Sequence, residues 1–459
     1  MAALQRAESA GLALAAQAAV IGSSLVPSRM IMVRSCRSIR LLSLSLLIAA
    51  FLTGSCSDLK PRNVKSSPEA AVVLIPGYYG SRLVEEASGR LVWLSVQEAL
   101  VGTKSLALPR ADLGIPNSVL VRPDGILQDI PVVPFLYSVN GYGTLLKALD
   151  RVGPRSEVVP LAYDWRMDLL AAVDALHQTI ERLRSRGIPR IALVGHSMGG
   201  LIAAYYLRYG TQRPPDAIET WEGASRVDAV VLAGVPYRGS MTTFRNMQYG
   251  RRIGFNGMLL TAEAVSSFPG SYYLLPAPGS DVLLSRSLER FEGFVYQPPR
   301  WKQYGWGLLR DGVSRSDSVF ENRAAYTERW LEQASRFFDL LHRPAGITSR
   351  PVIPLLDVTG TGFETLAAAF WLGPDSSGGT ELLFDKDQVR RSRPALDYSL
   401  LLADGDGTVT ASSASLPAAY RARFVVEQRA MNVSHRELAT DSQVLEAIVL
   451  FLTSALTLQ

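Results

Sequence analysis

Cysteine is nearly absent from this chain: there are two, Cys36 and Cys56, both in the N-terminal segment. Everything after position 56 must therefore fold without disulfides and can build no cysteine-ligated metal site. Histidine is scarce as well, four in 459 residues, which leaves few candidates for any chemistry that needs an imidazole. Uncompensated charge is also lacking. The formal net charge is +5, but residues 1–55 hold five arginines against one acidic residue, so the remainder carries only +1. With no basic stripe and no interleaved stacking aromatics, no nucleic-acid partner is expected. The uncharged run Leu41 to Leu52 is too short to cross a bilayer comfortably.

What is present starts with that run. Arg34, Arg37 and Arg40 precede it, and Thr53-Gly54-Ser55 lead from it to Cys56. Residues 30–56 thus read as a secretion signal, and small residues before a cysteine resemble the bacterial lipoprotein signal, whose cysteine is lipidated. Simple secretion with cleavage nearby, or a retained anchor, is the alternative. The expected location is the cell envelope, lipid-anchored through Cys56. Residues 1–29 are an alanine-rich extension with no clear role, and Met30 or Met32 is a candidate start. Residues 57–69 are polar and broken by proline, as a tether is. Residues 70–459, 47% hydrophobic like the whole chain, have the length for one large domain.

Within that domain apolar runs alternate with helical periodicity. Ala71 to Ile75, Ile191 to Val194 and Val227 to Leu232 read as buried strands and Arg155 to Leu161 as another strand; Leu169 to Leu183, with Gly187 as its stop, reads as an amphipathic helix. The alternation predicts an α/β fold with a mostly parallel sheet flanked by helices. Strand signals resume at Val352 to Val358 and Arg423 to Val426, and a helix closes the chain from Asp441 to Leu456. Between them the regularity fails: residues 241–350 are crowded with aromatics, among them Phe268, Tyr272, Tyr273, Phe291, Phe294, Tyr296, Trp301, Tyr304 and Trp306. That stretch is expected to be an inserted cap, some of whose aromatics contact lipid.

Gly195-His196-Ser197-Met198-Gly199 joins the strand at 191–194 to a helical run from Leu201 to Leu207. A strand turning straight into a helix through Ser197 holds it in a strained conformation, and side chains at Gly195 and Gly199 would strike neighbouring backbone. A serine hydroxyl is a weak nucleophile that needs an imidazole to take its proton and a carboxylate to orient that imidazole. In an elbow of this kind the order along the chain is Ser, Asp, His. Of His177, His196, His342 and His435, only His435 follows both Ser197 and the loop Asp404-Gly-Asp-Gly-Thr-Val409. Asp406 is favoured as the acid, with Asp404 capping the turn; the reverse assignment stays open. The Tyr78 N–H, in the turn Pro76-Gly-Tyr-Tyr-Gly-Ser81, and the Met198 N–H are the expected oxyanion donors. No clustered histidines and carboxylates occur, so neither metal nor cofactor is expected.

Val73-Leu-Ile-Pro-Gly-Tyr-Tyr-Gly80, Ala162-Tyr-Asp-Trp-Arg166, Gly195-His-Ser-Met-Gly199, Gly234-Val-Pro-Tyr-Arg-Gly-Ser240, Asp404 to Val409 and His435 resemble the lecithin:cholesterol acyltransferase family. The likeness runs from about residue 70 to 455. It implies an α/β-hydrolase fold with a cap and a small membrane-contacting insert, here about 83–135. It also implies Ser197 as nucleophile, Asp406 as acid, His435 as base, and Tyr78 with Met198 at the oxyanion. Members are phospholipases and acyltransferases that move an acyl group from a glycerolipid to a sterol, a diacylglycerol, another alcohol or water. The expected partners are a lipid or acyl-ester substrate and a membrane surface. Animal members brace surface loops with disulfides; this chain has no cysteine for that. Other readings of the residues are an esterase or thioesterase for small soluble esters, and a silent lipid-binding lipoprotein on a hydrolase fold.

Overall fold

The computed structural model describes residues 68–457, except 96–97, 99–104, 116–119, 129, 134–136, 140, 254–255, 281, 292, 311–316, 347–352, 375–379 and 394. The signal segment, the tether up to residue 67 and Cys56 lie outside the described residues. Six parallel strands form the centre: β1 (Ala70–Ile75), β2 (Ser156–Pro160), β3 (Arg190–His196), β4 (Ala229–Ala233), β5 (Pro354–Gly360) and β6 (Val425–Met431). Their order across the sheet is β6-β5-β4-β3-β1-β2. Every neighbouring pair is parallel, as the alternation of strands and helices predicts.

Both faces of the sheet are covered, which is why its inner strands read as unbroken apolar runs. Successive side chains still alternate between faces. On β1, Ala71, Val73 and Ile75 enter one apolar cluster and Ala70, Val72 and Leu74 the other. Helices α2 (Leu169–Ser185) and α3 (Met198–Tyr209) supply the first cluster; α1 (Gly143–Leu149) and the closing α6 (Ser442–Thr457) supply the second. Asp168 caps α2 at its start, and Gly187, at φ +78°, lies just beyond its end, where a left-handed residue releases the chain from the helix.

The region after β4 holds α4 (Met241–Tyr249), a hairpin over residues 251–260 and the 26-residue α5 (Asp317–His342). Of the nine aromatics named above, Phe268, Tyr272, Tyr273, Phe294, Trp301 and Trp306 are buried and the other three half-buried. They are consumed by one another, as in the Trp301–Trp306 and Tyr272–Trp301 ring pairs. Trp371 joins them against Phe294 and Tyr304. It lies on a strand, Ala369–Pro374, that pairs with Leu283–Leu284. The chain between β5 and Asp406 therefore packs into the same aromatic layer, a participation with no sequence signal. Among the described residues no helix is long and apolar enough to cross a membrane.

Candidate active site

Residue 197 lies where β3 ends and α3 begins, and its backbone takes φ +54°, ψ −125°, a conformation costly for a residue with a side chain. The crowding expected at the flanking glycines is present. A Cβ on Gly199 would lie 2.1 Å from the Ile75 carbonyl oxygen, and one on Gly195 would lie 2.8 Å from the Gly200 Cα. The Ser197 amide donates to the Ala233 carbonyl at the end of β4 (2.9 Å), so two strand ends hold the elbow.

Three of the expected residues converge although they are far apart in sequence. Ser197 Oγ lies 2.9 Å from His435 Nε2, and His435 Nδ1 lies 2.7 Å from Asp406 Oδ2. A carboxylate only accepts, so Nδ1 carries the ring proton and Nε2 is left to accept from the serine hydroxyl. Asp406 is 2% exposed; its other oxygen accepts the Thr408 and Val409 amides at 2.9 and 2.7 Å. Burial pushes this carboxyl up, but the charge of His435, the bond to that ring and the two amides outweigh it. The net result is a carboxyl below its ordinary value, ionised as an orienting acid must be. Asp404 does not meet His435. It is exposed, and its carboxylate accepts the Gly362 amide (2.7 Å), so it ties down the neighbouring loop after β5 rather than its own turn.

The Tyr78 and Met198 amides find no acceptor among the described residues. Both flank the serine: Met198 follows it, and Gly77 is so close that a Cβ there would be 2.8 Å from Ser197 Cβ. Two unpaired N–H groups beside a nucleophile have the arrangement that binds an oxyanion. Tyr163-Asp-Trp-Arg166 braces this loop from below. Tyr163 Oη donates to the Pro76 carbonyl (2.6 Å), and the Trp165 ring packs on Tyr78 and Tyr79 at 5.3 and 4.7 Å.

His196 has a role that the sequence did not reveal. Its Nε2 lies 3.1 Å from the His435 carbonyl, which only accepts, so Nε2 is protonated and Nδ1 accepts from Tyr142 Oη (2.8 Å). Tyr142 Oη in turn receives the Gly77 N–H at 2.7 Å. One chain of hydrogen bonds therefore runs from the loop of the expected oxyanion donors to the loop of the expected base. Burial, then the adjacent His435, pushes the His196 imidazole down to about 3, so it stays neutral. His342 bonds the Tyr237 carbonyl (2.7 Å) and His177 the Tyr206 hydroxyl (3.3 Å); neither meets the serine.

Ser197 and His435 open into a cavity of about 290 Å³, whose lining includes the apolar residues Trp93, Leu94, Leu127, Val265 and Leu274. Among the described residues no group of His, Cys, Asp and Glu is placed to hold a metal ion.

Comparison with known proteins bears on this geometry. Residues 116–335 match the lecithin:cholesterol acyltransferase family model. That family match contains Ser197 and its elbow, while Asp406 and His435 lie beyond it. Over that stretch, just under half of its length, the chain is similar to lecithin:cholesterol acyltransferases. A curated relative, the uncharacterized protein YJR098C of Saccharomyces cerevisiae, is 26% identical over 261 residues, 55% of this chain. The match spans about a third, 36%, of that protein's length. Among solved structures, a chain of the Tle4–Tli4 complex aligns with a TM-score of 0.55 at 15% identity, over 86% of this chain and 99% of that one. The mature form of the Bacillus licheniformis lipase BlEst2 aligns at 0.31 with 10% identity, over 86% and 96% of the two chains.

Proposed function

We propose that the protein is a serine lipase or acyltransferase that cleaves acyl esters of glycerolipids through an acyl-enzyme on Ser197. The observation that carries the reading is the hydrogen-bonded series Ser197–His435–Asp406, with the unpaired Tyr78 and Met198 amides beside it. As Ser197 Oγ attacks the ester carbonyl, its proton passes to His435 Nε2, and the charge that forms on the ring faces the ionised Asp406. The carbonyl oxygen gains a negative charge, for which the two amides are the donors. Collapse breaks the acyl C–O bond, and His435 returns the proton to the departing alcohol. Water or an acceptor alcohol, deprotonated by His435, then takes the acyl group and frees Ser197.

The apolar residues in the cavity lining support an acyl chain as the occupant. Lipidation at Cys56 and a place in the cell envelope complete the proposal and rest on the sequence of residues 30–56 alone. The test uses the protein from residue 57 with vesicles of acyl-labelled phosphatidylcholine, with and without a sterol or diacylglycerol, beside Ser197→Ala. Label on the acceptor makes it a transferase, and free fatty acid alone a phospholipase. Ester cleavage by Ser197→Ala equal to wild type sinks the reading. Turnover of short soluble esters with no response to vesicles favours a soluble-ester esterase instead.

A further inference from the structure

Arg251, Arg252 and Arg436 also line the cavity, and no aspartate or glutamate lines it among the described residues. Among the described residues none of the three arginines pairs with a carboxylate. They come from two separate parts of the chain. Arg251 and Arg252 belong to the hairpin after α4, whereas Arg436 directly follows His435. The Arg251 guanidinium carbon lies 5.0 Å from the centre of the Tyr79 ring, on the loop that supplies the Tyr78 amide. The one acidic group of the site, Asp406, is buried and engaged by His435.

A guanidinium is always charged, and its N–H fork fits phosphate and carboxylate oxygens. Three of them without counter-charges, around a cleft with apolar lining residues, focus a positive potential on the position where an ester must lie. The same guanidiniums repel a quaternary ammonium, and no carboxylate lines the cavity among the described residues to offset that repulsion. We propose that the acyl donor bears a net negative headgroup, as in an acidic glycerophospholipid of the phosphatidylglycerol type, and that Arg251, Arg252 and Arg436 select it. This rests on the acyl-ester reading above and narrows its substrate. The reaction remains transfer of the acyl group to Ser197, with the lysophospholipid leaving on the proton from His435.

Dihexanoyl phosphatidylglycerol and dihexanoyl phosphatidylcholine, kept monomeric so that attraction to a charged surface is not read, provide the test. In the wild type kcat/KM should favour the anionic lipid by about tenfold or more at low salt, mainly through KM. The preference should shrink several-fold at about 0.5 M salt, where exposed charges are screened. Combining Arg251→Gln, Arg252→Gln and Arg436→Gln should bring the ratio close to unity. Arg245→Gln, which removes a pair with Asp385 (3.6 Å) outside the cavity lining, should leave the ratio as it was. A wild-type ratio at or below one, a triple variant that keeps the preference, or equal loss in Arg245→Gln overturns the proposal. So does glycerol 1-phosphate competing as well as the lipid, since a free phosphoester would then be the ligand. Calorimetry of Ser197→Ala with diether phosphatidylglycerol and diether phosphatidylcholine separates this from the activity itself. Tighter binding of the anionic diether supports the headgroup site even if no ester is ever cleaved, and equal binding overturns it.

Discussion

Tyr142 contributes one oxygen to the site, and that oxygen serves both loops. Tyr142→Phe leaves the Gly77 N–H and His196 Nδ1 without partners in a buried setting, each a loss of about 1–3 kcal/mol. Because both bonds position loops, kcat for p-nitrophenyl butyrate should fall roughly tenfold or more while KM changes little. The double variant with His196→Ala should lose less than the product of the single losses, since both residues act through one chain of bonds. Multiplying losses would mean that they act separately. Asp406→Asn should lower kcat by roughly 10³–10⁴-fold, because an amide can stabilise the wrong imidazole tautomer; activity within tenfold of wild type would remove Asp406 from the proposed role. Gly199→Ala is expected to yield no soluble protein, given the 2.1 Å approach to a strand carbonyl that cannot retreat.

Strand β5 contains a carboxyl, Asp357, 2% exposed and bonded to the Gln428 amide at 3.0 Å. Burial pushes it up to about 6, with Gln428 and Arg421 drawing it partly back. A folded-state value above the unfolded one near 4 means that the folded protein binds this proton more tightly. The corresponding stability is present below about pH 4 and lost as pH rises through about 6. Asp357→Asn should therefore stabilise the protein at pH 8 by about 2–3 kcal/mol, with the gain vanishing at pH 4. Denaturant melts at the two pH values check it, and an equal gain at both refutes it. The elements themselves were unequally legible. β1, β3 and β4 could be read from sequence because both their faces are covered. β6 was detected only to Val426, since it is the edge strand and its remaining residues, Glu-Gln-Arg-Ala-Met, are mostly exposed and polar. The strand Ala369–Pro374 gave no signal, because its parallel partner, Leu283–Leu284, lies far back in the cap. At the site, Ser197 and His435 were legible through a local motif and through scarcity. The Tyr142–His196 contact, 54 residues apart, has no local pattern to announce it.

On the scale of the molecule, the apparatus is assembled from four strand ends and the loop after the excursion between β5 and β6. Arg429, Glu427 and other exposed groups of the outer strand keep that edge polar, which discourages pairing with a second sheet. The proposed anchoring belongs to this scale too. Cys56→Ser should move the full-length protein from the membrane fraction to the soluble fraction on cell fractionation, and unchanged partition would remove Cys56 as the attachment point. The separation of 238 positions between Ser197 and His435 carries a further consequence. A ribosome adding roughly 5–20 residues per second emits the serine on the order of tens of seconds before the imidazole that activates it. Throughout that interval, and in any fragment ending before residue 435, the serine is an ordinary alcohol. A nascent chain thus stays unarmed until residue 435 has been made, and the timing of activation is written into chain order.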